Sequence, residues 1–322
     1  GPSPPWDLRL FAWIDRKRNE LTERIASTIG GQAGALAAAL VTGKRDLLSE
    51  STNNALRAAG VYHIVSVSGL HMVLAAGAFF WAARAILALF AGLALNWPIK
   101  KIAALLAMAG ATAYCLFTGS EVATERSLIM ILVMLGAILA DRPALSMRNL
   151  ALAAMLTLLR EPETLMGPSF QMSFGAVAGL IAYAEWERDR EPAAPGERPT
   201  LPFRILDWLR RHFLILFATT LVATLATAPY AAFHFQRLNP LGLLGNMAAL
   251  PFVSLIVMPS AVFGVLLWPF GLEAWVWQLM GWGTEAVIQL SQRVANIGGA
   301  VTALRAFGPG AVLLATLGLL WF

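Results

Sequence analysis

The chain has 322 residues, 58% of them hydrophobic and only 13% charged, with 24 Lys and Arg against 19 Asp and Glu. A soluble domain carries about 25% charged residues, and one core of this size cannot bury so much apolar surface, which excludes a soluble enzyme domain, a disordered chain and a small secreted scaffold. A lone cysteine, Cys115, excludes an intramolecular disulfide and a Cys-rich metal site, and His63, His71, His212 and His234 lack metal-clip spacing, so the reading is an all-α polytopic membrane protein with no metal and no cofactor.

Residues 1–5 lack an initiator Met and read as a linker or an expression remnant. Residues 6–60 read as peripheral amphipathic helices. In 8–29, Leu10, Ile14, Leu21, Ile25 and Ile29 recur at helical spacing while charged residues fill the other face. Such a helix lies on a membrane surface or on the rest of the protein. Residues 33–41 spell a short Ala-rich helix and 46–59 a polar one, both unfit to span about 30 Å of hydrocarbon.

Residues 61–322 read as the transmembrane domain, with about seven to nine transmembrane or re-entrant helices. The candidate spans are 70–93, 102–117, 127–140, a short 150–159, and 169–184 after Pro168. A loop at about 185–207, dense in charge and proline, precedes a span at 213–228 ended by Pro229. Pro240, Gly242, Gly245, Asn246, Pro251, Pro259 and Pro269 punctuate 238–269, which predicts broken or re-entrant helices. Segments 275–297 and 310–322 close the chain, and the stop inside an apolar run reads as a piece of a larger protein. Lys100, Lys101, Arg142, Arg148 and the arginines of 185–211 can share one side, which the positive-inside rule makes cytoplasmic.

Four polar islands interrupt the apolar sequence. In Val61 to Met72, His63, Ser66, Ser68, Gly69 and His71 open into an apolar helix. Ser68 suits an N-cap, and free N–H groups at a helix start favour anions. The plain alternative is a cap with histidines bonded to carbonyls. Gly119 to Arg126 holds Glu121, Glu125 and Arg126, read either as functional charges or as an interfacial ion pair. Pro168, Ser169, Gln171 and Ser173 form the third island, a helix start with buried polar groups or interhelical glue. Asn246, within 239–251, is the fourth, and its alternative is a kink satisfied by its own side chain.

In order along the chain stand His63-Ile-Val-Ser-Val-Ser-Gly-Leu-His71, Arg126-Ser-Leu-Ile-Met130, Pro168-Ser-Phe-Gln-Met-Ser-Phe174 and Asn239-Pro240 with Leu-Gly-Asn-Met-Ala-Ala-Leu-Pro251. This series resembles the competence domain of ComEC-type DNA-uptake proteins over roughly residues 45–265. The resemblance implies a multi-pass channel of the bacterial inner membrane that carries single-stranded transforming DNA during natural competence. It implies as partners a cytoplasmic helicase-like translocase, a periplasmic DNA receptor, the lipid bilayer, and OB-like and metallo-β-lactamase-like domains of the same full-length protein. No H-x-H-x-D-H run occurs here, so this chain is not expected to be an enzyme. Ala123-Thr124-Glu125 departs from the family's second motif, although Arg126 matches.

A DNA conduit needs donors and positive ends along its path. His63, Ser66, Ser68, Gly69, His71, Arg126, Pro168, Ser169, Gln171, Ser173 and Asn246 are the candidates, with Ser68, His71, Arg126, Gln171 and Asn246 expected to share one water-accessible space. Tyr62, Phe170 and Phe174 are candidate stacking surfaces, with lipid-facing or core positions as the alternative. Arg16, Lys17, Arg18, Lys44 and Arg45 are candidate peripheral contacts for DNA or lipid. Gly69 is expected to reject a larger side chain, so that Gly69→Leu stops uptake. The alternatives are a small-molecule or lipid transporter and an intramembrane serine hydrolase built on Ser68, although Ser68 and His71 are only three residues apart.

Overall fold

Long apolar runs leave the backbone no partner but itself, and the chain answers with helices. The computed structural model describes residues 5–189, 201–297 and 302–321. Its helices are α1 (Trp6–Ile29), α2 (Gly31–Thr42), α3 (Glu50–Ala58), α4 (Gly69–Ala88), α5 (Ala91–Asn96), α6 (Ile99–Phe117) and α7 (Val122–Leu139). They continue with α8 (Met147–Arg160), α9 (Pro168–Asp189), α10 (Leu201–Phe235), α11 (Gly242–Phe252), α12 (Met258–Leu267), α13 (Ala274–Ala295) and α14 (Pro309–Trp321). Two short strands, β1 (Arg237–Leu238) and β2 (Thr302–Ala303), pair antiparallel. Among the described residues five helical stretches are long and apolar enough to cross a membrane: α4, α6, α7, Arg210–Phe235 of α10, and Gly242–Phe270. This is an all-α polytopic membrane protein.

Small residues set the packing of α4, α6 and α7. Ala104, Ala107, Ala111 and Cys115 recur on one face of α6 and meet Met72 and Ala76 of α4 and Ile131 and Leu135 of α7. Close approach of this kind drives association where lipid supplies no hydrophobic force. Gly175 and Gly179 of α9 likewise receive Tyr230, Ala226 and Val222 of α10. Phe170 and Phe174, 4.3 Å apart, pack with Ala153 of α8 against Ile129, Met130 and Val133 of α7.

A second cluster joins α1, α2, α3, α11, α12 and α13. Here α2 departs from the peripheral place read from its length, because every residue of 33–42 is buried. Alanine gives it no bulky face, so neighbours close over all its sides. Trp277 of α13, fully buried, lies against Gly264 of α12. Arg24 of α1 reaches Glu273, whose side chain is 1% exposed, at 2.5 Å. The other Glu273 oxygen has no partner. Removing one member of a buried pair strands the other charge, so Arg24→Ala should cost about 3 kcal/mol. A thermal melt in detergent would show the loss, and adding Glu273→Ala should recover part of it.

Three expected boundaries move. The charged loop at 185–207 shortens, since α9 runs to Asp189 and α10 begins at Leu201, and its middle, 190–200, lies outside the described residues. Pro229 does not end its span but sits inside α10. Membrane helices tolerate proline where neighbouring helices cover the freed backbone. Within the stretch expected to break at 238–269, Gly242–Phe270 is one helical path, in which a π-turn (Val253–Val257) joins α11 to α12. Pro251 and Pro259 each lack an N–H, and the π-turn takes up the mismatch. Ser254 Oγ donates to the Leu250 carbonyl at 2.8 Å.

Side-chain pairs identify the two ends of the bundle. Lys101 at the start of α6 bonds Asp141 after α7 at 2.6 Å. At the other end, Arg160 closing α8 bonds Glu125 opening α7 at 2.7 Å. His234 closing α10 meets Gln171 opening α9 at 2.9 Å. The end holding Lys100, Lys101, Arg142 and Arg148 is therefore opposite the end where α4, α7, α9 and α11 begin.

Candidate functional site

All four polar islands gather at that second end. At the start of α4 the Ser68 backbone N–H donates to His71 Nδ1 at 3.2 Å, and Ser68 Oγ lies 3.1 Å from the same nitrogen. His71 thus caps its own helix. The accepted bond assigns its proton to Nε2, which is buried with no partner. Among the described residues no acid bonds the ring, so the Ser68–His71 pair lacks there the third group of a nucleophile triad. His63 is exposed, with Nδ1 3.2 Å from the Gly60 carbonyl, and Ser66 Oγ donates to the His63 carbonyl at 3.3 Å.

The first island rests on the second. Thr124 Oγ1 of α7 donates to the Val67 carbonyl at 3.3 Å. A Cβ placed on Gly69 would meet only Ser127 Oγ, at 3.6 Å, an ordinary contact. The tight fit expected at Gly69 is absent, because the residue is exposed and its φ is not positive. Gly69→Ala should therefore change stability by no more than about 0.5 kcal/mol, checked by melting and by abundance in the membrane.

Arg126 is the least compensated residue of the site. It is 6% exposed, and its Nε has no hydrogen-bond partner. The acids expected to pair with it are occupied elsewhere: Glu125 by Arg160 and Glu121 by Arg45. Arg126 lines a cavity of about 20 Å³ with Val122, Glu125, Ile129, Thr157, Arg160, Glu161 and Thr164, and Glu161, like Glu125, pairs with Arg160. That volume holds about one water.

On α9, Pro168 fills the first helical position and Ser169 is exposed. Gln171 Nε2 donates to the Leu165 carbonyl at 3.0 Å, and its Oε1 accepts from His234 Nε2. Ser173 is half-buried one turn along. Phe170 and Phe174 are buried and belong to the core, whereas Tyr62 is partly exposed.

The fourth island docks on the first. Asn239 Nδ2 donates to the Arg57 carbonyl at 3.0 Å. Gly245 faces the Ala59 carbonyl so closely that any Cβ would overlap it. Gly60, at φ +74°, faces the Cα of Gly242. Asn246 Oδ1 is buried without a partner. The docking role of Gly242 and Gly245 and the role of His234 escaped the sequence reading. The three-residue spacing of the two glycines, one helix face without side chains, was the available signal.

Of the five residues expected to share one space, Arg126 alone lines the cavity described above. Ser68, His71, Gln171 and Asn246 stand apart from the Arg126 cavity, although α7 touches both the α4 start and the α9 rings. Most of the peripheral cations are engaged within the protein. Lys17 bonds Glu20 at 2.8 Å, Lys44 bonds Asp15 at 3.0 Å, and Arg45 bonds Glu121. The Lys44 bond holds the Asp15 carboxyl below the usual carboxylate range. Arg18 Nε donates to the Thr42 carbonyl at 2.6 Å, capping α2, and its guanidinium fills the space beside Gly43 and Gly119. Arg16 is exposed, with no partner among the described residues.

The sequence profile of the Competence protein family matches residues 40–322, a range that includes every polar island. The chain belongs to this family. It is 33% identical over 273 residues to competence protein ComA of Neisseria gonorrhoeae, covering 81% of this chain and 37% of that protein. It is 26% identical over 230 residues to ComE operon protein 3 of Bacillus subtilis, covering 71% and 26%. It is 25% identical over 234 residues to recombination protein 2 of Haemophilus influenzae, covering 70% and 28%. This competence-family chain thus spans between about a quarter and two fifths of the relatives it matches. No solved structure matches it.

Proposed function

We propose that this competence-family domain is a bacterial inner-membrane conduit through which one strand of transforming DNA reaches the cytoplasm. The observation that carries the reading is Arg126 at the polar end of the bundle, a buried guanidinium whose Nε has no partner and that forms no ion pair among the described residues. An unpaired charge inside a membrane protein is costly and marks a path for charge. A passing phosphate supplies the missing anion, and a transient partner suits transport better than a permanent one. His71 Nε2 and Asn246 Oδ1 add unpaired polar atoms at the same end.

The end bearing Lys100, Lys101, Arg142 and Arg148 faces the cytoplasm under the positive-inside rule. The polar islands then face outward, where a periplasmic receptor hands over the strand. The chain is a channel and not an enzyme. Transport energy comes from a cytoplasmic helicase-like translocase, and the OB-like and metallo-β-lactamase-like domains belong to the same full-length protein. Orientation is tested in the full-length protein with Cys115→Ala and Ser66→Cys. A membrane-impermeant maleimide should label Ser66→Cys from outside, and added single-stranded DNA should slow the labelling. Labelling only after the cytoplasmic side is opened would reverse the topology, and labelling indifferent to DNA would remove this end from the path.

A further inference from the structure

Three arginines at the polar end have been left without acids. The Arg57 guanidinium lies 4.5 Å from the centre of the Tyr62 ring and reaches the Tyr62 hydroxyl at 3.4 Å. Asn239 holds the Arg57 backbone, which brings β1 and Arg237 to the end of α3. The strand pairing sets Arg237 opposite Ala303, and Leu304 N–H donates to the Gln236 carbonyl at 2.8 Å, fixing Arg305 beside it. All three guanidinium side chains are exposed, and among the described residues none has an acidic partner. This contrasts with Lys17, Arg24, Lys44, Arg45, Lys101 and Arg160, which all do.

The positive-inside rule disfavours arginine at the outer end of a membrane protein. Three uncompensated ones there call for an anionic ligand. We propose that Arg57, Arg237 and Arg305 form a cationic collar that receives the phosphate backbone of a single DNA strand, with Tyr62 holding the Arg57 guanidinium in place. The site rests on the conduit reading above and gives it a receiving surface outside the bundle. Guanidinium groups bind phosphate in a planar fork. An arginine already stacked on an aromatic ring keeps its fork fixed, and Tyr62 is itself held by packing against the core cluster of α1, α2, α3 and α13. The contacts are to the phosphate backbone, so the collar is indifferent to sequence.

The test uses the chain in phosphatidylcholine nanodiscs and a fluorescent single-stranded oligonucleotide titrated at several salt concentrations. Replacing all three arginines, as Arg57→Gln, Arg237→Gln and Arg305→Gln together, should flatten the log–log salt slope by about 2, since each lost phosphate contact removes about 0.7. The matching triple change to Lys should keep the slope. Tyr62→Leu should keep the slope and weaken binding about threefold, since Arg57 loses the ring that holds it. A wild-type chain that binds no oligonucleotide at low salt, or a Gln triple variant with an unchanged slope, overturns the collar. If instead the triple variant loses only its stabilisation by added phosphatidylglycerol, the arginines face lipid headgroups and the proposal fails. The conduit reading has its own test in Arg126, whose result does not depend on the collar.

Discussion

Arg126→Leu should reduce DNA internalisation by the full-length protein about 100-fold or more, the scale of losing a buried charge contact worth 2–5 kcal/mol. The same change should leave the protein as abundant in the membrane as before. The two effects separate because the arginine is buried and unpaired. Its desolvation is not repaid within the chain, and replacing buried charge by a well-packed apolar residue is often neutral or stabilising by about 1–4 kcal/mol. Leucine fills less space than arginine, but the neighbouring cavity is only about 20 Å³, so the hole added is modest. Arg126→Lys should recover part of the uptake, keeping charge and losing the planar fork. Labelled DNA counted inside the cell, beside the thermal midpoint of the purified variant, checks both halves. Normal uptake by Arg126→Leu would sink the conduit reading, and a collapsed thermal midpoint would recast Arg126 as structural.

Gly245→Ala should destabilise the domain by about 3 kcal/mol, the upper part of the range for overpacking. The added methyl would fall on the Ala59 carbonyl oxygen. That carbonyl cannot swing away at little cost. Ala59 N–H is bonded to Ala55, and Gly60 N–H to Arg57, each within 3.0 Å. Gly60 also stands at φ +74° with the Cα of Gly242 2.7 Å from where its own Cβ would lie. Relief must come from moving α11 away from α3, which breaks the Asn239 bond to Arg57 and separates the fourth island from the first. A melt in detergent and limited proteolysis between α3 and α4 read the effect. A midpoint shift of under about one degree would mean that the two elements do not hold each other.

Where the four islands lie along the chain is legible from composition alone. A serine, histidine or asparagine inside an apolar run is visible without coordinates, and the cost of placing it in lipid makes it a candidate. What binds each island is not legible. Gln171 meets His234 from 63 residues away, Asn239 meets Arg57 from 182 and Arg24 meets Glu273 from 249. Periodicity carries no record of such pairs. The assignment of Glu121 or Glu125 to Arg126 rested on nearness in sequence. It failed because adjacent residues on a helix point about 100° apart, so Glu125 turns to Arg160 on α8 instead.

The sequence by itself determined the class of protein, since 58% hydrophobic residues and 13% charged ones leave only a bilayer as solvent. It also determined the family and the location of most helices, because a 20-residue apolar run must satisfy its own backbone whatever surrounds it. Only the tertiary structure decided that α2 is interior, that Lys17, Lys44 and Arg45 are spent on neighbouring acids and that Gly245 rather than Gly69 is the tight position. Those outcomes depend on which surfaces meet, and an alanine-rich helix or a glycine reads the same in sequence whether its face meets lipid, water or another backbone. Arg126 shows both at once: its position at the edge of a span is written in the chain, and its lack of a partner belongs to the packing of α7 against α8.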